Sequence, residues 1–227
     1  MKLKSFGCSF IFGSELSDDG WGGPYATPSK LTWPALLAKH LNREYECYAR
    51  PGSGNLQILE AILNQISTSD SNDLFVIGWT WIDRFDYYVV NSPTPSRSPW
   101  RTIMPNDTDN LARLYYRDMH SEYRDKFVSL SYMKLAIDSL REKNIPFIMT
   151  YMDHLLFSQI WNVSPSILDM QKYIKPYTND FNEQTFLEWS RANGYPVTEM
   201  WHPLEEAHRA GSELMIKIFD KQNIIDC

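Results

Sequence analysis

Short apolar runs alternate with longer segments of helical periodicity along most of this 227-residue chain. The run at 74–77 (LFVI) is apolar throughout, as expected for a central strand of a parallel sheet covered on both faces. Strands that alternate with helices indicate parallel strands joined by helical crossovers. We therefore predict an α/β fold, a three-layer α/β/α sandwich of flavodoxin type with five parallel strands in the order 2-1-3-4-5.

The predicted elements follow one another along the chain. Strands are expected at residues 3–8, 45–49, 74–77, 145–151 and 195–198. Helices are expected at residues 31–41, 56–66, 127–143, 181–192 and 204–221. In the last of these helices, His208 is expected to face the surface.

The segment 85–125 interrupts the strand–helix rhythm, because it contains four prolines, many aromatic residues and then a polar helical stretch. Insertions of this length in compact domains are usually lids or binding loops. The chain length fits one large domain. We predict a single domain over residues 1–227, with the insertion at 85–125 acting as a lid.

Composition excludes several classes of function. With 22 Lys and Arg against 28 Asp and Glu, the net charge of −6 argues against a nucleic-acid surface. No apolar run reaches the roughly 20 residues that span a bilayer, and we read no signal peptide, so neither a membrane partner nor secretion is expected. Three cysteines match no zinc spacing, which leaves a reducing cytoplasmic location and no metal or cofactor as the expectation.

Chemically useful residues follow two of the predicted strands. Ligands of open parallel sheets bind beyond the carboxyl ends of the strands. Ser9 follows the first strand, and His202 follows the last one, with Glu199 three residues before it. A serine needs a base to take its proton, and that histidine needs a carboxylate to orient it, so these residues favour acyl transfer. Cys8 is the alternative nucleophile, although no sequence feature indicates a lowered thiol pKa.

Four segments carry a resemblance to a known family. They are 6–10 (FGCSF), 33–37 (WPALL), 49–55 (ARPGSGN) and 199–203 (EMWHP). In this order they resemble the sequence blocks of the SGNH (GDSL) hydrolases. The resemblance implies Ser9 as nucleophile, His202 as base and Glu199 as the carboxylate that orients it.

The resemblance also implies an oxyanion hole made by the N–H groups of Ser9 and Gly54 together with Thr80. Thr80 stands where the family has an asparagine, and Glu199 stands where it has an aspartate. Loss of one oxyanion donor typically costs about 10²–10³ in rate.

The function that follows is a serine esterase acting through an acyl-enzyme on a small acyl ester, for example of a carbohydrate. Two alternatives stay open: a degenerate scaffold used for glycan binding or structure, and an O-acyltransferase. An ester substrate is the only partner expected, and the oligomeric state is left open.

Four residues near the strand ends are candidates for substrate binding: Asn55, Trp79, Trp81 and Trp201. Asn55 is alternatively a helix N-cap. Trp79 and Trp81 share one side if the chain is extended there, and core packing is the alternative reading for both.

Overall fold

A parallel four-stranded sheet forms the centre of the protein. The computed structural model describes residues 1–20, 27–90 and 99–222. The described strands of both sheets are β1 (Lys2–Phe6), β2 (Glu44–Cys47), β3 (Leu74–Trp79), β4 (Phe85–Tyr88), β5 (Trp100–Ile103) and β6 (Phe147–Tyr151). The central sheet has the order β2-β1-β3-β6, which confirms the predicted order of the first four parallel strands.

The prediction of a fifth strand at 195–198 is wrong. Within the described residues Val197 forms only an isolated antiparallel bridge to Pro203. The chain between them folds into a tight turn, in which Trp201 N–H donates to the carbonyl of Thr198 and Trp201 has a φ of 68°. Because proline has no N–H to donate and the turn reverses the chain, no ladder extends from this point.

Eight α-helices surround or extend the sheet in the described part of the chain. They are α1 (Ser9–Phe12), α2 (Trp33–His40), α3 (Asn55–Ile66), α4 (Asn110–Asp118), α5 (Glu122–Glu142), α6 (Pro165–Ile174), α7 (Phe186–Ala192) and α8 (Glu205–Gln222). The helices α1 and α6 were not predicted. Two short 3-10 helices lie at His154–Leu156 and Lys175–Tyr177. None of the described helices is long and apolar enough to cross a membrane.

The helices cover both faces of the sheet, as the sandwich prediction requires. Helices α3, α5 and α6 bury their apolar faces on one side, around Phe75, Ile77 and Trp79. Helices α2, α7 and α8 do the same on the other side, around Val76 and Ile148. Alternate residues of the same strand therefore enter different cores, which is why the strand at 74–77 is apolar throughout.

The inserted segment has a structure of its own. Strands β4 and β5 pair as an antiparallel hairpin, and α4 packs on them around Ile103, Ala112 and Tyr115. Residues 91–98 lie outside the described residues. The hairpin is attached to α3 through the Asp86 carboxylate, which accepts hydrogen bonds from the N–H groups of Gly54 and Gln57 at 3.0 Å each. The segment is thus docked against the helix that follows β2.

His208 lies inside the protein, contrary to the surface position expected. It is 1 % exposed, and its Nδ1 accepts the N–H of Trp33 at 3.1 Å at the start of α2. Burial lowers the pKa of His208 from 6.5 to about 3, although the nearby Glu205 carboxylate opposes this shift. The ring is therefore neutral in the folded protein at neutral pH.

This neutral histidine predicts a loss of stability in acid. The unfolded chain binds a proton on His208 below about pH 6.5 and the folded chain does not, so stability falls as the pH drops from 6.5 towards 3. In His208→Asn the side-chain oxygen can replace Nδ1 as acceptor. We expect this variant to be less stable than wild type at pH 7, but to lose less of its free energy of unfolding between pH 7 and pH 4.5. Urea unfolding at both pH values measures this. An equal loss in wild type and variant would contradict it.

Candidate active site

Ser9 is the first residue of α1, directly beyond the end of β1. The backbone N–H at this position has no carbonyl partner within a helix, so it is free to face a ligand. Space for the turn comes from glycine: a Cβ on Gly7 would lie 2.5 Å from the Ile11 side chain and 3.0 Å from the carbonyl oxygen of Gly78. The sequence Gly-Cys-Ser therefore packs closely on β3 and leaves Ser9 only 7 % exposed.

His202 contacts Ser9 as the sequence predicts. Its Nε2 lies 2.9 Å from Ser9 Oγ, although the two residues are 193 positions apart. The turn described above fixes the backbone of His202, whose N–H donates to Thr198 Oγ1 at 3.1 Å. Phe10 packs against the imidazole with ring centroids 5.4 Å apart. The side chain of His202 is 14 % exposed, so the histidine is held between protein groups and opens to solvent at one edge.

The carboxylate on the other side of His202 belongs to Glu15 and not to Glu199. Glu15 Oε2 forms a short hydrogen bond with His202 Nδ1. Glu15 lies three residues beyond the end of α1, with a φ of 68°. Glu199 is exposed. The prediction from the final sequence block therefore needs correction, because the tight turn at 198–202 brings Thr198 to this site and not the glutamate that follows it.

Thr198 forms hydrogen bonds with both Glu15 and His202. Its Oγ1 donates to Glu15 Oε2 at 2.7 Å and accepts the N–H of His202 at 3.1 Å. Partial burial raises the pKa of Glu15, but the hydrogen bonds from Thr198 and His202 outweigh it and leave the pKa below its ordinary value. Glu15 is therefore an ionised carboxylate at neutral pH, the form that holds an imidazole N–H.

The N–H of Gly54, predicted for the oxyanion hole, is engaged elsewhere. It donates to Asp86 Oδ1 at 3.0 Å. A Cβ on Gly54 would lie 2.6 Å from the Asp86 carboxylate, so the glycine allows this close approach. Gln57 Nε2 and Thr102 Oγ1 also donate to the same carboxylate, each at 2.7 Å. The hairpin thus supplies the acceptor that caps α3.

The Asn55 side chain is buried and supports Thr80. Its Oδ1 accepts the N–H of Thr80 at 2.9 Å, and its Nδ2 donates to the Thr80 carbonyl and to Ser129 Oγ. The Thr80 side chain is fully buried, and no partner for its Oγ1 lies among the described residues. An unpaired buried hydroxyl costs free energy, and a catalytic role is one explanation for such a group.

The three tryptophans predicted to bind substrate lie in different surroundings. Trp79 is fully buried in the core beside α3 and α5, so its predicted ligand role is wrong. Trp81 lies on the other side of the sheet, with its ring 5.7 Å from that of Phe10. The two rings do not share a side because β3 ends at Trp79. Trp201 is 55 % exposed next to His202, and the Arg191 guanidinium lies 5.3 Å from the centre of its ring.

No protein-family model matches this chain, and neither does any curated protein. Solved structures do. A lipolytic protein of the G-D-S-L family from Veillonella parvula matches 97% of this chain over 98% of its own, with a TM-score of 0.52 and 15% identity. The acetyl xylan esterase Est2A from Butyrivibrio proteoclasticus matches all of this chain over 64% of its own, with a TM-score of 0.54 and 14% identity. The chain has the SGNH (GDSL) hydrolase fold.

A third structure is that of a carbohydrate esterase whose active site displays divergent catalytic and non-catalytic binding functions. It matches 99% of this chain over 70% of its own, with a TM-score of 0.53 and 13% identity. Identities at this level establish the fold, whereas chemistry has to be argued from the site. Among the described residues no group of three or more His, Cys, Asp or Glu side chains is placed to hold a metal ion.

Proposed function

We propose that the protein is a serine ester hydrolase with Ser9 as nucleophile, His202 as general base and Glu15 as the carboxylate that orients it. The observation that carries the proposal is the unbroken hydrogen-bonded series from Ser9 Oγ through both ring nitrogens of His202 to Glu15. A nucleophile, a base and an orienting group in contact are the arrangement that acyl transfer needs.

In the first half of the reaction, Ser9 Oγ attacks the ester carbonyl carbon while His202 Nε2 takes the serine proton. The tetrahedral intermediate collapses, and His202 returns this proton to the departing alcohol, which leaves an acyl group on Ser9. Water then attacks the acyl carbon, gives a proton to His202 and releases the acid as Ser9 recovers its hydrogen. Glu15 stabilises the imidazolium that forms in both halves.

The backbone N–H of Ser9 and the hydroxyl of Thr80 are the oxyanion donors in this proposal. Solvent does not reach the Thr80 hydroxyl, so a bound ester has to displace a neighbouring side chain to contact it. With the N–H of Gly54 already donated to Asp86, these two groups carry the stabilisation that three donors would share.

Thr80→Val should lower kcat roughly 10²-fold with little change in KM, because valine keeps the shape of the side chain and removes the donor. Steady-state kinetics on an aryl acetate measures both constants, and Thr80→Ser is the matched control that keeps the hydroxyl. The valine variant should be no less stable than wild type, since the lost hydroxyl has no partner in the described structure. An unchanged kcat would remove Thr80 from the mechanism.

The proposed substrate is an ester of a small acyl group on a polar alcohol such as a carbohydrate. The exposed ring of Trp201 beside His202 supports a sugar-stacking surface at the mouth of the site. Esterases of carbohydrates are among the proteins that share the fold. A cytoplasmic location stays a prediction.

A fluorophosphonate probe tests the proposal by intact mass on wild type, Ser9→Ala and His202→Ala. We expect a single adduct on wild type and none on either variant, since the probe reacts only with an activated serine. Ser14→Ala is the matched control, a buried serine in the same loop, and it should be labelled like wild type. No adduct on folded wild type would overturn the proposal.

The second candidate is a glycan-binding protein without turnover. It is favoured by the engagement of Gly54 with Asp86 and by the threonine at position 80, which together leave a weakened oxyanion hole. Binding of oligosaccharides by calorimetry, with neither a probe adduct nor hydrolysis of an ester panel, would support it. Turnover that disappears in Ser9→Ala would exclude it.

A further inference from the structure

Arg84 is a half-buried cation whose guanidinium forms no ion pair among the described residues. Arg84 Nη1 donates to the carbonyl oxygen of Ser53 at 3.0 Å, and its guanidinium lies 4.9 Å from the centre of the Trp81 ring. Across the described parts of the chain, no carboxylate comes within ion-pair distance of Arg84. A guanidinium that makes no ion pair keeps its charge and its remaining N–H groups for an anion.

Arg84 also lines a cavity of about 250 Å³ between α3, α5 and the hairpin. The other charged residues of this cavity are paired. Asp86 accepts hydrogen bonds from Gly54, Gln57 and Thr102, as described above. Asp125 is 2.7 Å from Arg124, whose guanidinium also lies over the ring of Phe85. Arg84 is thus the cation that remains for a ligand.

The position of Arg84 connects this cavity with the triad. The carbonyl that it contacts belongs to Ser53, directly before Gly54. Its stacking partner Trp81 contacts Phe10, and Phe10 contacts the imidazole of His202. The cavity also includes Asn55, which holds the backbone of Thr80. The rings of Trp81 and Phe10 thus lie between the guanidinium and His202.

The adjacent acidic residue, Asp83, does not neutralise this cation by contact. Burial raises the pKa of Asp83 and the Asp153 carboxylate adds to the rise, while Arg84 opposes it from a distance. Four of the five N–H donors of a guanidinium are left after the single bond to Ser53, in the planar fork that matches a carboxylate.

We propose that Arg84 binds an anionic group, a carboxylate, on the substrate, so that the preferred esters are negatively charged. This inference rests on the proposed ester hydrolysis at Ser9 and specifies its substrate class. Arg84 is a specificity-determining residue in this proposal and takes no part in bond making.

Matched ester pairs test the inference. One pair carries the charge on the acyl side, mono-4-nitrophenyl glutarate against 4-nitrophenyl hexanoate. The other carries it on the alcohol side, 4-acetoxybenzoate against 4-acetoxybenzamide. We expect wild type to prefer the anionic member of at least one pair by roughly tenfold or more in kcat/KM, as a charge-assisted contact provides.

Arg84→Gln should remove this preference, and Arg84→Lys should keep part of it, while all three proteins hydrolyse the neutral esters at similar rates. If Arg84 had a purely structural role, its replacement would instead lower kcat/KM equally for both members of each pair. An equal effect of the substitutions on both members, or no preference in wild type, would overturn the inference. Hydrolysis of the neutral esters would still support the proposed function.

A binding measurement separates the two proposals if no ester is hydrolysed. Calorimetry with glutarate and with 4-hydroxybenzoate, on wild type and Arg84→Gln, should show at least one anion bound roughly tenfold more weakly by the variant. That result would support the anion site even if esterolysis failed. Equal binding, or no binding to wild type, would overturn the anion site.

Discussion

Glu15→Gln is expected to lower kcat by about 10⁴-fold, the size of the loss when the aspartate of a serine-protease triad is replaced by asparagine. The amide cannot stabilise the imidazolium and presents its own N–H to the ring, so it favours the wrong tautomer of His202. His202 Nδ1 and Thr198 Oγ1 both contact Glu15 Oε2, so an amide nitrogen at that position can donate to the threonine hydroxyl, which limits structural change. Steady-state kinetics on an aryl ester, with thermal unfolding as the check of folding, measures the effect.

Glu199→Gln is the matched control, because it makes the same chemical change at the position that the sequence block indicates. Glu199 is exposed, and Glu15 already occupies the Nδ1 side of His202. We expect this variant to retain wild-type kcat/KM. If Glu199→Gln were the damaging change and Glu15→Gln the silent one, the triad assigned from the structure would be wrong.

Asp86→Ala is expected to destabilise the protein by about 3 kcal/mol. The side chain is 7 % exposed, and its loss leaves the N–H groups of Gly54 and Gln57 buried without an acceptor. Each unsatisfied buried donor costs about 1–3 kcal/mol. Urea unfolding measures the change, and amide hydrogen exchange at these two positions should become faster. Asp86→Asn keeps one acceptor oxygen and should fall between wild type and the alanine variant.

Asp109→Ala gives the comparison for this prediction. Asp109 also caps a helix, accepting the N–H groups of Leu111 and Ala112 at the start of α4, but it does so at the surface. Water can replace an exposed cap, so the expected loss is about 1 kcal/mol. An equal loss for the two variants would show that docking of the hairpin adds nothing to the cap.

The fold could be predicted because its signals are local. The apolar run that became β3 and the helical periods of α3, α5 and α8 are properties of neighbouring residues, and the right-handed crossovers that join parallel strands restrict how they assemble. The failure at 195–198 is local as well. Those residues have strand-like composition, but the reversal at Trp201 and the proline that follows it prevent pairing.

The site could be predicted only in part. Ser9 and His202 were found because each follows a predicted strand and lies within a recognisable block, and the structure places their side chains 2.9 Å apart. Glu15 and Thr198 were missed, since neither has a spacing or motif that distinguishes it from other loop residues. Asn55 was placed near the site correctly, but its amide supports the backbone of Thr80.

The sequence by itself determined the class of the fold, the order of four parallel strands and the pair Ser9 and His202, whose side chains are in contact. Only the tertiary structure decided which carboxylate contacts His202, that Asp86 accepts the N–H of Gly54, and that Arg84 forms no ion pair among the described residues. Those outcomes depend on contacts between distant segments, such as Glu15 with Thr198 or Gly54 with Asp86. Side-chain pairing at that range is set by how the loops pack, and no pattern of neighbouring residues specifies it.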